Sequence, residues 1–476
     1  MISSTVLESF EHLLPRLRRL LGSDGVIVEP DRLLAYESDA LTYLRGTPLA
    51  VLLPRSPAQL RAVLRLLHRA RIPFVPRGAG TGISGGAVAR EAVILSTMRM
   101  NRILGIDPAD RLATVEPGVA TGQIDAAAMR HGLAYLPDPA SSSACTIGGN
   151  IAENAGGPHC LKHGVTTDHV RELEVALPDG ENLTLGRGAD GGLDLAGLFI
   201  GSEGTFGLAT RIALRLVRRT PAVRTALALF DRMEEAAGAV SELLSSGVLP
   251  VAIEMIDGRT IRMVEESAFA VGLPLDLAAV LLIEVEGLPE EVEEDIERAV
   301  AVARAAGARE VRAARDETER TRLWQARKRA FGALGRRAPE VLVQDAVVPR
   351  SAIAVVLERI DEIARRHDLV HISYFHAGDG NLHPHLLFDR RDADQVRRVG
   401  LASKEIMRLC VEAGGTITGE HGVGLDKRGS MPLVFSPSEL EVLERLKRAF
   451  DPDGLCNPGK VLPDGLPRSP EPATGG

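Results

Sequence analysis

The stretch PRGAGTGISGGAV, residues 76–88, places glycines at 78, 80, 82, 85 and 86 directly after a run that reads as strand. The next run, AVILS, reads as strand again. Glycine lets successive backbone N–H groups converge without a side chain in the way, so the run is suited to an anion-binding nest. It does not fit G-x-G-x-x-G opening a long helix, which argues against the ordinary dinucleotide βαβ unit. A plain structural loop is the bland alternative. Two further segments weigh against it: PDPASSSACTIGGNIAENAGG, with hydroxyls and Asn150 and Asn154 able to lie against a large planar ligand, and GSEGTFGLAT, a third glycine turn before a strand. Three such loops in one half of a chain imply one extended ligand with a diphosphate.

At 476 residues the chain exceeds what one core serves, so two domains are expected. The first holds a strand, helix and strand from residue 50, with Ser56 as N-cap and Leu60, Val63, Leu64 and Leu67 on the apolar face. After Pro221 the strand candidates ALALF, VAIEM, AVLLIEVEG, VLVQDAVV and DLVHISYFH alternate with long helical stretches. This predicts an α+β sheet with helices on one face. The acidic run 290–297 reads as the solvated side of a helix. A helix over 438–450 precedes CNPGK, and the tail PRSPEPATGG reads as disordered.

A net charge of -8 argues against a nucleic-acid role, which needs a clustered cationic surface. No apolar run spans a bilayer, and the N-terminal helix lacks the apolar centre of a signal peptide, so the expected location is cytoplasmic. Cys145, Cys160, Cys410 and Cys456 form no CxxC pair for an iron–sulfur cluster or structural zinc. A redox role would need a centre not ligated by cysteine, or another subunit.

HAGDGNLHPH, residues 376–385, holds three of the twelve histidines. GDGN has turn composition, which predicts a hairpin with His376 across from His383, and with His383 and His385 on one face. Pro384 favours an edge strand or a bulge. TITGEHGVG adds Glu420 and His421 on a glycine-flanked backbone. A two-histidine, one-carboxylate set leaves coordination positions open, as catalytic metals require, and zinc, manganese or iron(II) would suit it. A hydrogen-bonded polar corner is the alternative.

The succession of glycine loops resembles the FAD-binding domain of the vanillyl-alcohol oxidase, or PCMH, type. That resemblance implies that Arg77, Gly78, Ala79, Gly80, Thr81, Gly82, Ser84 and Gly85 hold the FAD pyrophosphate. It also implies that Pro139, Ser141, Thr146, Gly148, Gly149, Asn150 and Asn154 line the flavin, and that Glu203 and Gly204 touch the nucleotide. The first loop has no histidine, so FAD would be non-covalent.

HAGDGNLH with GEHG, preceded by LWQARKRAF and followed by CNPGK, resembles the FAD-linked D-2-hydroxyacid dehydrogenases, a family of glycolate oxidase and D-lactate dehydrogenase types. The resemblance covers roughly residues 45–462. It implies a fold with an N-terminal helical segment (1–44), a two-part PCMH-type domain (45–220) and a ferredoxin-like antiparallel α+β cap (221–435). A C-terminal segment (436–465) would return to the FAD domain. It further implies His376, His383 and Glu420 as ligands of a divalent metal, zinc before manganese or iron. His421 would be the base, Arg327 the carboxylate binder, His385 a substrate contact and Asn457 a residue near flavin or substrate.

The activity so implied is oxidation of a small D-2-hydroxy acid, glycolate or D-lactate, by metal-assisted hydroxyl deprotonation and hydride transfer to flavin N5. Electrons would leave to a non-NAD acceptor: a protein, a quinone, or a complex with a second flavin subunit and an iron–sulfur subunit. A homodimer and peripheral attachment at the inner membrane through partners stay open. The D-2-hydroxyglutarate branch carries a threonine and a lysine where this chain has Phe331 and Val343, which favours a monocarboxylate. A metallohydrolase or a non-catalytic FAD subunit are the readings from other classes.

Overall fold

The computed structural model describes residues 4–186, 192–268, 270–335 and 337–465, with residues 4, 326 and 331 described by backbone only. The tail from residue 466 and the Phe331 side chain therefore lie outside the described residues. The chain divides into two units: residues 1–155, 165–217 and 420–476 form the first, and residues 156–164 and 218–419 the second. The chain re-enters the first unit at Glu420 rather than near residue 436, so Glu420 and His421 belong by backbone to the unit with the glycine loops, while Gly419 closes the second unit.

In the first unit the helix Ser4–Leu21 buries Phe10, Leu13, Leu17 and Leu21 at helical spacing in one core with Leu60, Leu64 and Leu67 of the helix Pro57–Arg69. Ser56 caps the latter helix, its hydroxyl accepting from the Gln59 amide. Val51–Leu52, Val93–Ser96 and Phe74–Arg77 form parallel neighbours in a four-stranded sheet. Such a sheet, covered on both faces, accounts for the unbroken apolar run at Val93, Ile94 and Leu95. A five-stranded antiparallel sheet runs Ile103–Asp107, Leu112–Val115, Leu208–Arg215, Val170–Ala176, Asn182–Gly186.

The second unit is built on an antiparallel sheet in which Ala222–Phe230, Ala279–Gly287, Ala252–Asp257 and Val370–His376 are successive neighbours. The helices Gly258–Glu265 and Glu317–Leu334 share a core with Leu227, Leu282 and Ile256, so this sheet face is covered. The helices Met233–Ser245, Pro289–Ala305 and Ile353–Arg366 also pack on its strands. In Pro289–Ala305 the residues Val292, Ile296, Ala299 and Ala303 turn inward, leaving Glu290, Glu291, Glu293, Glu294 and Glu297 exposed.

Candidate active site

Within the second unit, period-two alternation decides which side chains meet. The 370–376 strand turns through 377–380 and pairs His376 with Asn381, Ser373 with Pro384 and Ile372 with His385. His383 is therefore the diagonal neighbour of His376, not the residue directly across. Tyr374, His376, His383 and His385 nonetheless share one face, with the His376 and His383 rings 5.1 Å apart, edge to face. Pro384 does not lie on an edge: Pro384–Phe388 is flanked by Glu340–Val343 and Val370–His376. It is tolerated as the first residue of its strand, its carbonyl accepting from the Gln344 amide at 2.9 Å.

The strand Ala252–Asp257 brings Glu254 opposite His376 on the same face. Glu254 is fully buried, and its two oxygens take different partners: Nδ1 of His376 and Nε of Arg327, each at 2.6 Å. Burial alone would raise this carboxyl, but its interactions with His376 and Arg327 outweigh it and hold it below the ordinary range. Nδ1 of His383 faces the Gln344 carbonyl at 3.2 Å. A ring that donates from Nδ1 keeps its lone pair on Nε2, so both imidazoles are set up as metal-ligating tautomers, and the donor chemistry fits a divalent cation.

The Arg327 guanidinium lies over Tyr374, 4.7 Å from the ring centroid, and Tyr374 stacks on His385 at 4.2 Å. Burial first, and then His383, push the His385 pKa well below its usual value, so this ring is neutral. Val343 pairs with His385 across the ladder. Asp345, also buried, accepts from the Thr418 hydroxyl at 2.6 Å and from the Gly419 amide at 2.9 Å. The backbone is thereby pinned one residue before Glu420. Neither Glu254 nor Tyr374 was singled out from the sequence, although a lone carboxylate inside the apolar VAIEM was the available signal.

In the first unit the amides of residues 78–84 donate to no protein acceptor among the described residues, which suits a loop that receives phosphate oxygens. A Cβ at Gly78 would stand 2.2 Å from Oγ1 of Thr146, the hydroxyl that caps Ile147–Glu153. The Arg77 guanidinium turns back to the Ala87 carbonyl and lies over Tyr36, supporting the loop from within. Ala79, Gly80, Thr81, Gly82, Pro139 and Ser141 are half-buried, as a ligand-facing lining would be, whereas Ser84 and Gly85 are buried.

Several residues expected at the cofactor have protein partners. Asn150 donates to Thr121 Oγ1 at 2.9 Å, and Asn154 accepts from the Thr167 amide at 2.9 Å. Both Glu203 oxygens accept, from the amides of Val423 and Gly424 at 2.7 Å each. Its carboxylate thus holds the backbone just after His421, where the sequence reading gave it a nucleotide contact. Gly424 is required there because a Cβ would meet the Ser84 carbonyl at 2.1 Å. Gly204, at φ 67, adjoins Pro76 and Asn457. Asn457 donates to the carbonyls of Gly86 and Glu203, while its buried Oδ1 has no partner among the described residues. That orphaned acceptor and the undonated loop amides fit a polar cofactor such as FAD.

Residues 48–186 match the family model described as FAD binding domain, and residues 219–461 match that described as FAD linked oxidases, C-terminal domain. The chain belongs to the FAD-linked oxidase family. This oxidoreductase is 44% identical over 454 residues to the glycolate oxidase subunit GlcD of Escherichia coli (strain K12), covering 95% of this chain and 91% of that one. It is 36% identical over 420 residues to a D-lactate dehydrogenase of Archaeoglobus fulgidus, covering 87% and 91%. The fold is also that of 4-ethylphenol oxidase from Gulosibacter chungangensis, with a TM-score of 0.80 at 22% identity over 98% and 99% of the two chains. The α+β fold with a PCMH-type FAD-binding domain therefore agrees with the sequence reading. No described helix is long and apolar enough to cross a membrane.

Proposed function

We propose that this FAD-linked oxidase converts a small 2-hydroxy acid, glycolate or D-lactate, to the 2-oxo acid. The observation that carries the reading is the bonded series Arg327–Glu254–His376 beside His383 on one sheet face. It offers a guanidinium edge for a carboxylate and imidazole lone pairs for a metal. The relatives named as a glycolate oxidase subunit and a D-lactate dehydrogenase support it.

When bound, FAD supplies the hydride acceptor, and a divalent metal, zinc before manganese or iron(II), supplies a Lewis acid that acidifies the substrate hydroxyl. Arg327 binds the carboxylate in a two-pronged contact and orients C2. His376 and His383 would hold the metal together with Glu420, which follows the pinned Gly419. His421 takes the proton from the C2 hydroxyl oxygen. His385, neutral and stacked on Tyr374, donates or accepts one hydrogen bond to the substrate without adding charge. Val343 presents an apolar neighbour that a second carboxylate would not tolerate. The first loop has no histidine to attach a flavin, so FAD would be held non-covalently, and the electrons it takes up would need an acceptor other than NAD, a partner protein or a quinone, in the cytoplasm or at a membrane reached through that partner.

The test is anaerobic addition of glycolate, D-lactate, L-lactate and D-2-hydroxyglutarate to the purified flavoprotein while flavin absorbance is followed. Bleaching by glycolate or D-lactate is the expected result. Bleaching by none of the four, or by an alcohol lacking a carboxylate, would overturn the reading.

A further inference from the structure

The register of the second unit gives Glu254 a role that its distance from Arg327 in sequence conceals. Its strand places it opposite His376, and the helix Glu317–Leu334 brings Arg327 to its other oxygen. Taking Nε of Arg327 leaves the two Nη groups as the remaining edge, which can hold a carboxylate with two parallel N–H donors. Facing Nδ1 of His376 leaves that ring's lone pair on Nε2. We infer that Glu254 is a positioning residue that couples carboxylate recognition to metal holding, setting the guanidinium edge of Arg327 and the tautomer of His376 from one buried carboxylate. This rests on the roles given to Arg327 and His376 in the proposed function.

The coupling follows from acceptor count. A carboxylate accepts at both oxygens, whereas a glutamine of the same shape offers one acceptor and one NH₂ donor. In Glu254→Gln one partner must be surrendered. If the oxygen stays with Arg327, the NH₂ meets Nδ1 and drives the His376 proton to Nε2, where it blocks a metal. If the oxygen stays with His376, the NH₂ opposes the Arg327 Nε–H and displaces the guanidinium.

The experiment compares wild type, Glu254→Gln, Glu254→Asp and Arg327→Met as FAD-loaded proteins, with flavin content as the check on folding. Zinc affinity is measured by competition with a chromogenic chelator, without turnover, and KM and kcat for glycolate and D-lactate are measured separately. Glu254→Gln is expected to lose at least tenfold in zinc affinity or to raise KM at least tenfold, the range seen when outer partners of metal-binding histidines are removed. Glu254→Asp, which keeps two acceptor oxygens, recovers part of that loss.

Arg327→Met leaves Glu254 to His376 alone and is expected to shift zinc affinity at least threefold, although Arg327 is no ligand. It serves as the deciding variant should Glu254→Gln fail to retain flavin. Zinc affinity and KM both unchanged in a folded Glu254→Gln, or zinc affinity unchanged in Arg327→Met, overturns the coupling while leaving the proposed activity intact. A wild type that binds no zinc and is bleached by no 2-hydroxy acid overturns both.

Discussion

Glu284→Gln should weaken the second unit by an amount that depends on pH in a calculable way. Glu284 is buried in the Ala279–Gly287 strand and accepts from Trp324 Nε1 at 2.7 Å, Arg320 Nη1 at 2.9 Å and the Thr225 hydroxyl at 2.5 Å, with His159 Nε2 at 3.4 Å. Burial would raise its pKa, but the hydrogen bonds of His159, Thr225 and Trp324 and the Arg320 charge bring it down to about 2, from an ordinary 4.5. A shift of that size corresponds to about 3 kcal/mol of folding free energy at neutral pH. Because the folded value is depressed, this stability is fully present above the unfolded pKa and is lost as pH falls through the folded one. By the same linkage it is reduced to half near about pH 3.

Trp324 is the only tryptophan in the chain, so its emission reports on this cluster directly. Urea unfolding followed by that emission should show the Glu284→Gln midpoint lower by roughly 1 M or more at pH 7, given a typical urea slope of about 1–3 kcal/mol per molar. The deficit should shrink steadily as both proteins are compared at lower pH. Arg320, Trp324 and Arg327 recur at helical spacing on Glu317–Leu334. The same variant should therefore also raise KM for the 2-hydroxy acid. A deficit of the same size from pH 7 down to pH 3 would refute the ion-pair account and assign the loss to packing.

Three further outcomes are expected. His421→Ala keeps FAD and metal but loses flavin bleaching by substrate, whereas His383→Ala loses metal as well, measured as metal per flavin by elemental analysis. Val343→Lys, which sets an ammonium opposite His385, should lower KM for D-2-hydroxyglutarate at least about tenfold, the worth of one charged hydrogen bond, in steady-state assays with an artificial acceptor. Gly78→Ala forces a Cβ to 2.2 Å from Thr146 Oγ1 and should lower the flavin-to-protein ratio of the purified enzyme by more than half, with wild-type secondary structure by circular dichroism.

Most strands and helices were legible because their periodicities are strong, and Ser56 capped its helix as its residue type suggested. The glycine loops point to a phosphate-bearing ligand through backbone chemistry that needs no tertiary information. Glu254 was illegible because a carboxylate in VAIEM gains meaning only once the register sets it against His376. The Glu203 assignment followed loop resemblance, while the fold gave its two oxygens to the Val423 and Gly424 amides. The return of the chain at Glu420 and the excursion 156–164 leave no composition signature, because short glycine-rich crossings bury too little to be patterned.

That excursion changes what recombination can do with this gene. The backbone passes from one unit to the other at 155/156, 164/165, 217/218 and 419/420, and the inserted piece is tied down by His163 and Lys162 on Glu286. A single-crossover chimera between two relatives would inherit its cap from one parent and the strap bonded to Glu286 from the other. Exchange of substrate preference between family members therefore requires the strap and the cap to travel together as two inserts, and a library that shuffles only residues 218–419 will return mismatched straps along with any new specificity.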